Sequence, residues 1–217
     1  NTYLSTQDFP TEVIVVENGS TDGTYTIAND MQGVICNLTV LHENRRGKGW
    51  AVRQGMFKAR GEYRFICDAD LSMPIDEIAN FMPPIELRAP IAIGSREAPG
   101  AVRYYEPEFR HIIGRVFNWF VRILLLPGIN DTQCGFKLFR EDAVNAIFPR
   151  LTISGWTFDV EALFIAQKFG FKIVEIPINW YHHPHSTVKV LRDSFRMGID
   201  LLKIRFNDLF GKYNAEA

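Results

Sequence analysis

Long hydrophobic runs are missing from this 217-residue chain, and none approaches the roughly 18 apolar residues of a membrane-spanning helix. Cysteine is scarce. Cys36, Cys67 and Cys134 are widely spaced and odd in number, with no CxxC pair or Cys/His cluster, which argues against a zinc module and for a reducing compartment. Charge of one sign is not in excess either: 24 Lys+Arg against 25 Asp+Glu leave a net charge of -1, so nothing global marks a nucleic-acid partner. Internal repeats, low-complexity tracts and linkers are absent, so one domain spanning 1–217 is expected. What is present is a 47% apolar fraction with 13% aromatic residues, enough for a substantial core.

Apolar runs alternate with helical patterns. The spacing predicts strands over 12–16, 37–41, 63–67, 91–93, 135–139 and 172–180, and helices over 21–31, 49–60, 75–82, 142–148 and 159–169. This order implies βαβ units: an α/β fold with a mostly parallel sheet and helices on both faces. Ligands gather at the carboxyl ends of such strands. Four of these strands run into polar or glycine-bearing sequence: Glu17-Asn18-Gly19-Ser20, Glu43-Asn44-Arg45, Asp68-Ala69-Asp70 and Gly94-Ser95-Arg96. Farther along, 109–126 gathers Phe109, Ile112, Ile113, Val116, Phe117, Phe120, Val121 and Leu124 on one helical face. A basic amphipathic pattern covers 186–213.

Asp68 and Asp70 offer two hard carboxylates just after a buried strand, a pair suited to Mg2+ or Mn2+ with diphosphate oxygens completing the shell. The spacing alone also fits a solvated turn. Gly19, Ser20 and Asp22 suit a tight turn and a helix cap, whereas Glu17 at the strand tip is placed to accept a hydrogen bond from a base imide. Asn44 to Gly49 is a basic, glycine-flanked turn at a helix start, favourable to phosphate through Lys48, although the Walker A spacing is missing. Arg53 lies one turn further along that helix. Asp159 and Glu161 fit either helix capping or contact with sugar hydroxyls. His182 and His183, with His185 beyond Pro184, have no carboxylate or cysteine near in sequence and read as a surface turn.

Taken in order, VVENGSTDGT, NRRGKGWAVRQGM, DADLSMP, GSR and DTQCGFKLFR resemble the family-two glycosyltransferases of GT-A (nucleotide-diphospho-sugar transferase) fold. With GWTFDVEAL, EIPINWYHH and MGIDLLKIR, the likeness is greatest to the dolichyl-phosphate β-glucosyltransferase branch of the polyprenyl-phosphate glycosyltransferases. The resemblance implies that Glu17 and Asn18 stand where the family places base-contacting aspartates, with Gly19 and Ser20 beside them. It puts Lys48, Arg53, Asp68, Ala69 and Asp70 around the nucleotide diphosphate. Asp70 becomes the principal metal ligand, with Asp68 and Ser72 completing a metal set. Arg96 and Arg110 match arginines that approach an acceptor phosphate, while Asp131 and Gln133 open the loop that closes over the sugar, near Trp156 and Asp159. The family's first strand has no counterpart before Glu12, and it is expected to precede residue 1.

The implied reaction is an inverting transfer of a sugar, glucose by branch resemblance, from UDP-glucose to a polyprenyl phosphate, with Asp131 as the candidate base. Two alternatives stand beside it. One is a glycosyltransferase with another donor, such as GDP-mannose, or a non-lipid acceptor. The other is a non-catalytic nucleotide-sugar-binding protein. A lipid acceptor implies a peripheral enzyme on the cytosolic face of a membrane, resting on the amphipathic segments 109–126 and 186–213. The sequence leaves the oligomeric state open.

Overall fold

A computed structural model describes residues 2–70, 72–82, 89–182 and 190–214, with the side chains of 190–192 excepted. Strands β1 (Val13–Glu17), β2 (Leu38–His42) and β3 (Tyr63–Cys67) alternate with helices α1 (Thr24–Met31) and α2 (Lys48–Lys58). Next come a 3-10 turn (Ile75–Asn80), β4 (Ile91–Ser95), β5 (Val102–Tyr104) and the long α3 (Glu108–Leu124). The chain closes with β6 (Phe136–Arg140), α4 (Glu141–Ile147), α5 (Phe158–Lys168), β7 (Ile173–Pro177), β8 (Asn179–Tyr181) and α6 (Val190–Leu209).

The central sheet has the order β3-β6-β4-β7, with β6 antiparallel to both neighbours and β4 parallel to β7. β1–β2 and β5–β8 form separate parallel pairs. Alternation along the strands sorts the core into two layers. Ile91 and Ile93 of β4 and Phe139 of β6 face the layer formed with α4, α5 and α6. Ala92, Phe136 and Leu138 face the opposite layer, with Met73, Ile78 and Phe81. Helix α5 is apolar nearly all round and is buried from Phe158 to Ala166.

Three expectations are corrected. The segment expected as a helix over 75–82 is a 3-10 turn. The strand expected over 172–180 divides after Pro177, because Ile178 bonds across to Ser95 and Val102 and so hands the chain from the central sheet to β5. The apolar residues of α3 do not share one face. Phe117, Val121 and Leu124 turn to the core, while Phe109, Ile112, Val116, Trp119 and Ile123 form a second stripe in solvent. Helix α6 repeats this plan, with Met197, Leu201 and Ile204 inward and Phe195, Ile199, Leu202, Phe206 and Leu209 outward. Of the basic segment 186–213, residues 186–189 lie outside the described residues, as do His183 and His185.

Candidate active site

The carboxyl end of β3 delivers Asp68 directly under the start of α2. Lys48, the first residue of that helix, lies 2.7 Å from both Asp68 oxygens. Burial alone would lower the Lys48 ammonium, but the charges of Asp159 and Asp68 outweigh it and hold the group protonated above its ordinary value. Asp70 is exposed, and its Oδ1 accepts the Ser72 backbone N–H at 2.9 Å, which bends the chain so that the two carboxylates need not diverge. Desolvation together with Asp68 and Asp70 pushes the neighbouring Cys67 thiol up to about 11.

Loop 131–135 joins this carboxylate pair to a second cluster. At its far end Gly135 lies against Asp68: a Cβ there would stand 2.2 Å from Asp68 Oδ2. At its near end Asp131, fully buried, takes Arg96 in a two-point grip, with Nε at 2.7 Å and Nη2 at 2.9 Å, and also accepts the Arg96 N–H. Burial raises the Asp131 carboxyl, but the charge and hydrogen bonds of Arg96 outweigh it and hold it well below the usual carboxylate range. Both Asp131 oxygens turn to the Arg96 guanidinium, so the structure places it as a strut for that arginine. Glu175 of β7 fixes the same loop by accepting the N–H groups of Asn130 and Asp131, each at 3.0 Å.

The remaining expected residues fall into two groups. Trp156 lies beside Lys48, whose ammonium stands 5.6 Å from its ring, and Gln133 reaches the Trp156 carbonyl at 3.5 Å. Arg110 approaches His182 at 3.5 Å. Others are occupied elsewhere. Glu17 turns back to accept the Ser20 N–H and pairs with His42, closing the β1 turn at Gly19. Asn18 braces the basic loop by accepting the Gly47 N–H at 2.7 Å and donating to the Glu43 carbonyl at 3.1 Å. Arg53 turns to the Pro149 carbonyl at 3.2 Å and the rings of Trp50 and Phe57. Asp159 is buried and bound to Lys137 at 2.8 Å, which leaves it no surface for a sugar hydroxyl. Ser72 is also buried and works through its backbone, and Ala69 is an exposed spacer between the two carboxylates.

Lys137, Glu161 and Glu175 are the residues that sequence reasoning underrated. A lysine at the centre of an apolar strand, as in GFKLF, was the available signal, since a charge buried there needs a partner. Among the described residues no three His, Cys, Asp or Glu side chains converge on a metal position. Asp68 and Asp70 supply two hard oxygen donors beside open space at Asp70, which fits a divalent cation that draws the rest of its shell from a ligand.

An α/β sheet carrying a DxD turn at a strand's carboxyl end, faced by a lysine at a helix start, agrees with a glycosyltransferase of GT-A fold, and a family match and a structural likeness bear that class out. The chain belongs to glycosyltransferase family 2, since residues 3–148 match the family described as Glycosyl transferase family 2. It is 38% identical over 226 residues to the dolichyl-phosphate beta-glucosyltransferase of Homo sapiens, covering 96% of this chain and 67% of that one. It is 34% identical over 218 residues to the enzyme of the same name from Dictyostelium discoideum, again covering 96% and 67%. Its fold is similar to glucosyl-3-phosphoglycerate synthase from Mycobacterium tuberculosis in complex with Mn2+, UDP-glucose and glycerol 3-phosphate. The TM-score there is 0.62 at 16% identity, covering 88% of this chain and 68% of that one.

Proposed function

We propose that this protein transfers glucose from UDP-glucose to a dolichyl-type polyprenyl phosphate with inversion at the anomeric carbon. The observation that carries the reading is the Lys48–Asp68 contact, which sets a half-buried cation against the DxD turn where a nucleotide diphosphate would lie. The names of the relatives support the sugar and the acceptor.

In the reaction, an oxygen of the lipid phosphate attacks the anomeric carbon. The bond from that carbon to the diphosphate oxygen breaks, and its electron pair leaves with UDP. A divalent cation held by Asp68 and Asp70, Mg2+ or Mn2+, would neutralise charge on the leaving diphosphate. Lys48 adds a second positive charge there, partly desolvated and held by Asp68. The acceptor is anionic at neutral pH and needs positioning more than deprotonation. Arg96, oriented by Asp131, serves that purpose, with Arg110, which approaches His182, as the second cation. No side-chain base is required.

The acceptor's lipid nature agrees with the two solvent-facing apolar stripes. Helices α3 and α6 pack together, and exposed Arg115, Arg122, Arg196 and Lys203 accompany Trp119, Ile123, Phe195 and Phe206. Such a composition suits an anionic bilayer surface. Arg103, which bonds the Arg96 carbonyl, also pairs with Glu97 and Glu106 just before α3, so the arginine clamp sits where the apolar helix begins.

Calorimetric titration with UDP and Mn2+ tests the donor site. Lys48→Met is expected to weaken UDP binding at least about tenfold, the loss of a charge-assisted contact worth about 1.5–3 kcal/mol. Equal affinity in the variant would remove Lys48 from the diphosphate site.

A further inference from the structure

Glu161 is a fully buried carboxylate for which the transfer reaction has no direct use. Among the described residues its two oxygens accept five hydrogen bonds and pair with no cation. The donors are the Thr152 N–H to both oxygens at 3.0 and 2.9 Å, the Thr152 hydroxyl at 2.6 Å, the Ile153 N–H at 2.7 Å and the Tyr213 hydroxyl at 2.6 Å. Tyr213 lies beyond the end of α6 and is itself fully buried. Burial and the adjacent carboxylate push its phenol up, which keeps the proton available for donation. Asn207 of α6 closes the ring by donating to the Thr152 hydroxyl at 2.9 Å and the Tyr213 hydroxyl at 3.2 Å.

The loop so anchored is the seat of the Lys48 turn. The Gly49 N–H donates to the Ser154 carbonyl at 2.9 Å. A Cβ at Gly47 would stand 2.3 Å from that oxygen, and one at Gly49 would stand 2.7 Å from the Ile153 carbonyl. Two glycines flanking Lys48 thus press its backbone onto residues 153–154. Trp156 and Thr157 continue the same segment, with Trp156 beside the Lys48 ammonium and the Thr157 hydroxyl donating to Asp200 of α6 at 2.8 Å. From the end of α6 to the Lys48 turn the links are the Tyr213–Glu161 and Glu161–Thr152/Ile153 hydrogen bonds and the Gly49–Ser154 bond, with no room for a Cβ at Gly47 or Gly49.

We propose that Glu161 and Tyr213 are positioning residues for Lys48, through which the C-terminal helix α6 sets the geometry of the diphosphate loop. The inference rests on the reading of Lys48 as a diphosphate ligand. The same helix offers its outer apolar stripe to a surface, so seating α6 and ordering the donor loop become one mechanical unit.

The test compares Tyr213→Phe with the native protein, and with Phe81→Leu as a control that loosens the opposite core layer. Hydrogen exchange and UDP titration with Mn2+ are the two readouts. Tyr213→Phe is expected to speed exchange at the amides of Ile153 and Gly49 at least tenfold. It is also expected to weaken UDP binding three- to tenfold, raising the donor KM with little change in kcat. In a Lys48→Met background the Tyr213→Phe effect on UDP affinity should vanish. Glu161→Gln should retain part of the effect of Tyr213, because an amide oxygen still accepts its proton. Phe81→Leu should lower Tm without altering UDP affinity. Unchanged exchange at Gly49, or penalties of Tyr213→Phe and Lys48→Met that simply add, would overturn the proposal. Faster exchange in a protein that binds no UDP would instead leave the mechanical link standing and overturn the assignment of Lys48.

Discussion

Asp131 and Arg96 show how a buried charge pair makes its own pH dependence. The folded carboxyl lies below its unfolded value near 3.9, so the pair's contribution to stability is fully present above that range. It is lost as pH falls through the folded value. Asp131→Asn should therefore cost about 3 kcal/mol or more at pH 7, since it leaves Arg96 buried without its counter-charge. In acid the gap between variant and native protein should narrow, which thermal melts from pH 7 to pH 2 would follow. A gap constant with pH would deny the pairing. Gly135 makes a second residue-level case. Its missing Cβ is the space that Asp68 occupies, so Gly135→Ala should displace that carboxylate and lower kcat/KM at least about tenfold, as small misplacements at a reacting centre do. Normal kinetics in that variant would mean that Asp68 has room to move. The meeting of Lys48 with Asp68 was legible in the sequence because motif and strand-end placement agree. The burial of Glu161 and Lys137 was not, because a charge destined for burial is written with the same letter as a solvated one.

At the scale of elements, α3 and α6 share a design in which an inner apolar stripe fills the core and an outer one meets solvent. The helical spacing of α3 identified an apolar face but could not divide it, since stripes about a hundred degrees apart merge in a linear pattern. Short elements were equally hard to read. The three-residue β5 carries no periodicity, and β7 and β8 run together until the bonds of Ile178 separate them. The outer stripe is open to direct trial. Trp119 and Phe206 are both exposed, so Trp119→Glu and Phe206→Glu should leave Tm within the small range of surface substitutions, about 0.5 kcal/mol. Both changes should abolish co-sedimentation with vesicles containing anionic lipid. Undiminished sedimentation, or no sedimentation by the native protein, would contradict a membrane-facing role for these stripes.

Over the whole molecule, the sheet brings together two clusters whose strands, β3, β4 and β6, are separated in sequence. Strand β6 runs antiparallel between β3 and β4, so the loop entering it touches Asp68 on one side and Arg96 on the other. Alternating strands and helices made the α/β class readable, whereas the reversal of β6 was not, because strand direction leaves no trace in composition. On the proposed reading, this one loop sets the carboxylate assigned to the diphosphate and the arginine assigned to the acceptor on either side of a single anomeric carbon. The most direct test of that claim is transfer of radiolabelled glucose from UDP-glucose to a short polyprenyl phosphate, with Mg2+ or with EDTA, by the native protein and by Asp70→Ala. Expected are labelled lipid with the native protein and Mg2+, its loss in EDTA, and a fall of at least about a hundredfold in the variant. Undiminished transfer by Asp70→Ala, or no labelled lipid from a native protein that binds UDP, would contradict the assignment.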